Sequence, residues 1–464
     1  MPASPSLASP RRPHVVIVGG GLAGLAAAAA LADSPAEVTV LEARRRVGGR
    51  AASFEDPVTG GLVDACQHLA MGCCTNFLDL CRQAGLADAL RRDRTLWFID
   101  PANRRAACTP TRLLPAPLHL APLLLGMKHL SLSEKLRLAV GMLRLARWRP
   151  TAGVSRPTAA AWLKEVGQPE RVIRLFWQPV LESALGEAID LVDLAAARKV
   201  AVDAFLAHRD ATDLFLPTEP LGRLFGDGLA GWLQARGVAI EPAASVTSLA
   251  AGAGGVAAVQ TAAGTVACDA VILAVPWRAA ARLAPEVVPA ADERFTGSPI
   301  TAVHLWFDRD CIDLPHAVLV GRVSQWVFRP DDSPPGYCQV VISGSRGLFA
   351  GDRDGLRDAV VAEVREAFPA AREAQLVDAR IVTDPTAVLS VRPGVDEVRP
   401  ATTTAVANLF LAGDWTATGW PSTMEGAVRS GRTAAAAAAR HLGLPAPTLT
   451  PDLPKSPLVR LLGG

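Results

Sequence analysis

Three glycines carry the first piece of chemistry. In His14-Val15-Val16-Ile17-Val18-Gly19-Gly20-Gly21-Leu22-Ala23-Gly24-Leu25 a short β-branched run ends in Gly19-x-Gly21-x-x-Gly24, and an alanine-rich segment follows to Leu31. A second apolar run, Val38-Thr39-Val40-Leu41, ends at Glu42. Gly19 permits a tight turn, Gly21 lets backbone approach a pyrophosphate, and Gly24 lets helix and strand pack closely. A helix starting near Gly21 turns the free N–H groups of Leu22, Ala23 and Gly24, with its positive dipole end, toward phosphate. Glu42 closes the second strand, where a carboxylate can accept from both ribose hydroxyls of an adenosine. An ordinary glycine-rich turn needs only the glycines. Here strand, glycines, helix, second strand and acid follow in the order that a dinucleotide site demands.

Directly after the acid runs Ala43-Arg44-Arg45-Arg46-Val47-Gly48-Gly49-Arg50. Gly48 and Gly49 allow this loop to press against a dinucleotide, and Arg50 offers a planar fork to a phosphate. A loop leaving the C-terminal end of a parallel strand lies at the ligand crevice, which argues against a merely solvated basic loop. Asp64-Ala65-Cys66-Gln67-His68 comes next. Far along the chain, Leu409-Phe410-Leu411-Ala412-Gly413-Asp414 reads as a strand ending in an acid, and Thr423-Met424-Glu425-Gly426 opens a helix through an alanine run.

These residues need elements to hold them. The 464 residues are too many for one simple core and suggest two interleaved domains. Half the residues are hydrophobic and a fifth charged, and the net charge of +2 gives no sign of nucleic-acid binding. Helical periodicity marks Asn76 to Leu90, a helix from about Leu132 capped by Ser131-x-x-Glu134, and Thr158–Val166, Glu170–Ala184 and Leu194–His208, with Pro179 a kink or boundary. Short strands at 238–275 return the chain to the first sheet. Alternating runs at 299–309 and 318–345 suggest an antiparallel sheet. Asp354 to Phe368 reads as a helix and Leu376 to Thr383 as a strand.

Residues 91–149 hold twelve Lys/Arg against three Asp/Glu, a local +9 that leaves about −7 for the rest. A proline-broken apolar ledge, Leu113 to Leu125, precedes the 132 helix, whose Leu136, Val140, Leu143 and Ala146 share a stripe. Such a pair suits either an anionic membrane surface or a cap-domain helix buried in the protein. Residues 1–12 lack an apolar segment and read as a flexible lead-in rather than a signal peptide. No run of about 18 apolar residues predicts a transmembrane helix. The eight cysteines show neither C-x-x-C nor zinc spacing and read as free thiols in a reducing cytosol, with no metal site.

With the R-x-G-G-R run added to the first motif, the chain resembles the amine oxidase and phytoene desaturase flavoprotein superfamily. The resemblance implies FAD, held in a Rossmann-type α/β domain interleaved with an α+β substrate domain of mixed or antiparallel sheet and helical cap. The implied flavin domain spans 13–90, 215–285 and 386–443, and the substrate domain 91–214 and 286–385. The tails 1–12 and 444–464 are expected to be flexible. The implied cofactor residues are Gly19, Gly21, Leu22, Ala23, Gly24, Glu42, Ala43, Arg44, Gly48, Gly49, Arg50, Val246 (backbone to adenine), Gly413 and Asp414 (to the flavin side-chain hydroxyls). Thr423 and Met424 open a helix aimed at the negative charge of the reduced flavin. The Asp64–His68 segment would run beside the flavin ring. Cys66 replaces the family's usual glycine there, which changes the local backbone.

Asp64…Gln67-His68, Leu114-Pro115-Ala116-Pro117-Leu118-His119-Leu120, Leu132-Ser133-Glu134-Lys135-Leu136-Arg137-Leu138 and Ala412-Gly413-Asp414-Trp415-Thr416-x-Thr418-Gly419 further resemble the hydroxysqualene dehydroxylase family of hopanoid synthesis. That implies reduction of hydroxysqualene to squalene by hydride from reduced FAD, with an external electron donor. The expected partners are a long isoprenoid and an anionic membrane surface, on the cytoplasmic face. His68 and Glu425 are the candidates for the proton donor, although Glu425 also suits its own helix as a first-turn acid. A carotenoid-type desaturase shares the fold. An amine oxidase would need an aromatic cage, and Tyr337 is the only tyrosine. A non-catalytic prenyl carrier would have lost the cofactor motifs.

Overall fold

Glycine and alanine decide how the first and last thirds of the chain meet. The computed structural model describes residues 11–461 except Pro57, 152–154 and 289–292. In chain order, the elements that bear on the site are β1 (His14–Val18), α1 (Leu22–Leu31), β2 (Glu37–Leu41), α2 (Thr75–Gln83), β3 (Leu96–Ile99), β4 (Arg105–Cys108), α3 (Leu132–Arg147), α4 (Gln178–Leu185), β5 (Ala239–Glu241), β6 (Ala270–Leu273), β7 (Gly297–Phe307), β8 (His316–Leu319), β9 (Trp326–Phe328), β10 (Tyr337–Ser343), α5 (Arg353–Ala367), β11 (Leu376–Leu389), β12 (Leu409–Leu411) and α6 (Met424–His441).

The first sheet is parallel, in the order β5-β2-β1-β6-β12. Every residue of β6, and Val15 to Val18 of β1, is buried, as expected of strands covered on both faces. α1 packs directly on α6: a Cβ at Gly431 would stand 2.0 Å from the Ala23 carbonyl oxygen. Gly24 is needed within its own motif, where a Cβ would stand 1.9 Å from the Gly19 carbonyl oxygen.

The second sheet runs β11-β7-β10-β9-β8-β3-β4. It is mixed, because β8 and β3 pair parallel while the other pairs are antiparallel. α5 covers one face, setting Leu356, Val360 and Val364 against Val303, Leu305, Val340 and Ile342. The other face puts Val318, Phe328 and Val341 against Leu175, Trp177 and Leu181 of the helical cap. The chain therefore has the α/β flavin-domain plus α+β substrate-domain architecture.

Several local expectations are corrected. The helix expected to reach Leu90 stops at Gln83, with Gly85 at φ 72° behind it, and Leu90–Asp93 is a strand. Pro179, by contrast, stands at a boundary as expected: a π-helical stretch, Ile173–Trp177, ends just before it and the proline takes the first turn of α4, while the chain stays helical from Glu170 to Leu185. β11 runs past Asp384-Pro385, because a bulge against Ser298–Ile300 absorbs the proline. The capping box of α3 forms, but its core stripe is Leu138, Gly141, Met142, Leu145 and Ala146. Of the expected stripe only Ala146 is buried; Leu136 and Val140 face outward with Leu132. The expected lead-in lies outside the described residues up to position 10, and Arg11 pairs with Asp269. The tail is strapped down as far as Leu461. Asn76 bonds Thr450 in both directions, Arg429 pairs with Asp452, and Ser456 donates to the carbonyls of Ala207 (backbone N–H, 2.9 Å) and Ala116 (hydroxyl, 2.5 Å).

The α1–α6 crossing gives a stability prediction. Gly431→Ala forces backbone apart and is expected to cost about 1–3 kcal/mol, read as a lower denaturation midpoint with an unchanged slope.

Candidate active site

The adenine end is built at the carboxyl ends of β1 and β2. Gly19 (φ 108°) makes the turn, and its N–H donates to the Leu41 carbonyl at 2.8 Å. The Glu42 carboxylate is buried and accepts from the N–H groups of Gly20 (2.7 Å) and Arg44 (2.8 Å). The carbonyls of Glu42 and Arg44 accept from Ala244 and Ala243 at 2.8 Å, which brings Val246, at the start of the next strand, alongside. Gly48 donates to the Gly20 carbonyl at 2.8 Å and draws the Arg44–Arg50 loop, Ala43 at its base, over the glycine turn.

Gly21 caps α1 without any side-chain hydrogen bond, so the first-turn N–H groups of Leu22, Ala23 and Gly24 have no side-chain cap. A Cβ at Gly21 would meet only the Gly49 Cα, at 3.8 Å. Protein packing therefore does not require glycine there, whereas it does at Gly24. The space in front of Gly21 and Gly49 suits a pyrophosphate, and the donors present suit its charge.

The flavin end joins three segments. Arg50 pairs with Asp414 at 2.5 Å, and its second arm donates to the Ala387 carbonyl at 2.6 Å. Ala387 lies on the β11 bulge, so the bulge aims this carbonyl. Gly413 (φ 140°) accepts no Cβ because Trp415 Nε1 would be 2.3 Å away, and its N–H donates to Ser430 Oγ at 2.7 Å. Asp414 is buried. Thr423 caps α6, accepting from the Gly426 N–H at 3.2 Å, and Met424 begins the helix. Arg50 is exposed, and Cys66 and His68 are half-buried. Burial pushes the Cys66 thiol up to about 12, with Asp64 and Asp384 adding to it, so it stays neutral.

The two proton-donor candidates fare differently from expectation. Glu425 is fully buried and its carboxylate is spent. It accepts from Asn76 N–H (3.1 Å), Asn76 Nδ2 (3.2 Å), Phe77 N–H (2.8 Å) and Arg429 Nε (2.6 Å), which caps α2 and ties it to α6. His68 places Nδ1 2.7 Å from the Cys66 carbonyl, so the proton of the neutral ring sits on Nδ1. Burial lowers its pKa, the Cys66 carbonyl opposes this, and the Arg50 charge lowers it further. Nε2 is then an acceptor rather than an acid.

Two other buried carboxyls were given no role of their own from the sequence. Asp64, raised to about 6 by burial, accepts from Ser53 Oγ (2.6 Å) and Leu221 N–H (2.8 Å) and pins the flavin-side loop. Glu182 sits on α4 between apolar neighbours, where the sequence shows only one more glutamate in an amphipathic helix. No group of three His, Cys, Asp or Glu side chains among the described residues could hold a metal ion.

Comparison with known proteins agrees with this geometry. The sequence model of the family described as Flavin containing amine oxidoreductase matches residues 22–439. The 15-cis-phytoene desaturase of Synechococcus elongatus is 26% identical, covering 91% of this chain and 95% of its own. The hydroxysqualene dehydroxylase of Rhodopseudomonas palustris is 29% identical, covering 91% of this chain and 97% of its own. In structure, cyclohexylamine oxidase from Brevibacterium oxydans superposes with a TM-score of 0.65 at 20% identity, over 93% of this chain and all of that one, a likeness of fold. The cofactor is FAD.

Gly21→Ala is therefore expected to leave the denaturation midpoint of the apoprotein unchanged and to weaken FAD binding by at least about tenfold, measured by flavin fluorescence quenching. Gly24→Ala should destabilise the apoprotein as well.

Proposed function

We propose a function from one premise: this chain belongs to the flavin containing amine oxidoreductase family and is an FAD-dependent oxidoreductase. Its substrate, on this reading, is a long isoprenoid, and its reaction the reductive dehydroxylation of hydroxysqualene to squalene. The observation that carries the reading is one continuous apolar body. Cys66, Leu69 and Met71 of the flavin-side loop, Trp420 ahead of α6, the cap helices and the Phe328–Val341 face of the sheet belong to a single hydrophobic cluster. That cluster reaches Leu120, Leu123 and Leu124, on the ledge whose outer leucines are exposed. An apolar surround of this extent suits a long apolar substrate; a short amine does not need it. Tyr337, the only tyrosine, has its hydroxyl 2.8 Å from His304 Nδ1 and 3.1 Å from Gln339 Nε2, and is not free to frame an amine. Relatives named hydroxysqualene dehydroxylase and 15-cis-phytoene desaturase both span the chain, and the resemblance of the middle motifs favours the first.

Bound FAD supplies the hydride when reduced. The chain does the rest. Gly21, Gly49 and the α1 N-terminus would hold the pyrophosphate, with Glu42 toward the ribose and the Val246 backbone toward the adenine. Asp414, oriented by Arg50, would accept from the flavin side-chain hydroxyls. The α6 N-terminus at Thr423 and Met424 favours negative charge at the ring. The apolar body excludes water while an allylic hydroxyl leaves. Incubated anaerobically with hydroxysqualene, the reduced holoenzyme is expected to yield squalene and oxidised flavin. No squalene, with oxidation of phytoene or an amine instead, overturns the reading.

The same reading seats the ledge on a membrane. Leu113, Leu118, Leu125, Leu132 and Leu136 are each at least half exposed, with Leu132 at 76% and Leu136 at 67%. Lys128, Arg137, Arg144 and Arg147 are exposed among them. Clustered leucines ringed by cations suit the interface of an anionic bilayer. No helix among the described residues is long and apolar enough to cross a membrane. Leu132→Glu with Leu136→Glu should abolish flotation with anionic liposomes while flavin content and fold are kept; flotation unchanged in that variant would count against the ledge.

A further inference from the structure

Dehydroxylation needs an acid, and neither His68 nor Glu425 is free to be one. The geometry points to Glu182 as the general acid that protonates the allylic hydroxyl, an assignment that rests on the dehydroxylation reading above.

Glu182 is 7% exposed and sits within the apolar cluster, with Leu181 and Leu185 on either side along α4. Several other buried acids have cations: Asp414 has Arg50, Glu187 has Arg346, Asp213 has Arg92 and Glu425 has Arg429. Glu42 and Asp64 have none but accept short hydrogen bonds, at 2.7 and 2.8 Å and at 2.6 and 2.8 Å. Glu182 has none within 4 Å among the described residues. Its contacts are long and all of one kind. Gln325 Nε2 (3.2 Å), Gln178 Nε2 (3.4 Å) and the Ile189 N–H (3.4 Å) each donate to it. Gln325 is itself fixed by Ser343, receiving its N–H at 2.8 Å and donating to its carbonyl at 3.1 Å, so it cannot turn an acceptor toward the acid. The O–H of the neutral carboxyl is left without an acceptor among these contacts, and a substrate hydroxyl would supply one.

The position fits. α4 ends at Gly186 (φ 67°), where a Cβ would lie 2.7 Å from Val388 Cγ2 and 3.5 Å from Ile300 Cδ1. Val388 follows Ala387, whose carbonyl holds Arg50. Glu182 stands four residues earlier, about 6 Å back along the helix axis. The C-terminal end of its helix thus packs on the strand segment that also holds Arg50. Trp326, half-buried on the facing sheet, is fixed by Ser183 at 2.8 Å.

Burial raises the Glu182 carboxyl to about 7, with the Gln178 and Ile189 donors opposing this. The charges facing it are Asp190 and Glu187, which raise it further, and Glu187 is partly neutralised by Arg346 at 2.8 Å. The facing sheet and α4 itself present only the uncharged Gln325, Ser343 and Gln178. Near neutral pH the proton is present and can leave.

The step balances. The Glu182 proton passes to the substrate oxygen, the C–O bond breaks and water departs. The allylic cation takes a hydride, with both electrons, from the reduced flavin. The carboxylate is reprotonated from solvent, and the flavin leaves the cycle oxidised.

In the reduced holoenzyme, Glu182→Gln should lower the single-turnover rate with hydroxysqualene about 10²–10⁴-fold, with flavin content and melting temperature unchanged. Glu182→Asp should recover part of it. The wild-type rate should fall as pH rises through about 7, and that limb should vanish in Glu182→Gln. Infrared difference spectra of the oxidised holoenzyme across the same pH range should show a carboxyl band that the Gln variant lacks. A wild type that makes squalene beside a Gln variant of equal rate and pH profile overturns the assignment and leaves the function standing. A wild type that makes no squalene overturns the function and the assignment with it.

Discussion

The structure depends on backbone touching backbone where α1 crosses α6. At Gly431 of α6 even a methyl would strike the α1 backbone, 2.0 Å from the Ala23 carbonyl oxygen and 2.9 Å from the Ala27 nitrogen. The crossing buries the long alanine runs of both helices. It also fixes the N-termini of two helices that lie far apart in the chain. On the proposed reading one would face the pyrophosphate of FAD and the other the flavin ring, which is anionic when reduced.

Around that crossing the charged residues act as ties rather than as a surface coat. Glu425 caps α2 while paired to Arg429, and Arg429 reaches on to Asp452 of the strapped tail. Arg50 joins the glycine loop to Asp414 and to the β11 bulge. Each cation spans segments that local sequence cannot bring together. Removing one partner would leave a buried charge unpaired, which costs far more than a surface ion pair contributes.

Which parts were legible follows from this. The glycine motif, Glu42, the capping box and the helix at Thr423 are local, since spacing alone decides them. The mixed sheet was legible in kind but not in detail: β11 was read as ending before Asp384-Pro385, because a proline stops a strand in sequence and only a bulge partner rescues it. Pro179 was legible as a boundary, although the π-helical turn before it has no signature in composition. The α3 stripe was read one face away. That helix is apolar on two faces, and periodicity finds a stripe without saying which one the protein covers. Glu425 looked like a free first-turn acid, and its partners on α2 lie some 350 residues away in the chain. The tail looked flexible from its prolines, yet its anchors are Asn76 on α2, Arg429 on α6 and the carbonyls of Ala116 and Ala207, all distant in the chain.

The groove has a consequence for biosynthesis. Its first wall, Gly19 to Arg50, leaves the ribosome early, but Gly413, Asp414 and the start of α6 come close to the end. β6 lacks its neighbour β12 until residues 409–411 have been made, and α1 lacks the face it packs on until Gly431 has emerged. The nascent N-terminal unit must therefore wait, half-covered, through most of translation. Cofactor capture becomes the closing act of folding, and a chain cut short anywhere before α6 carries every glycine of the first motif without a site to put them to use.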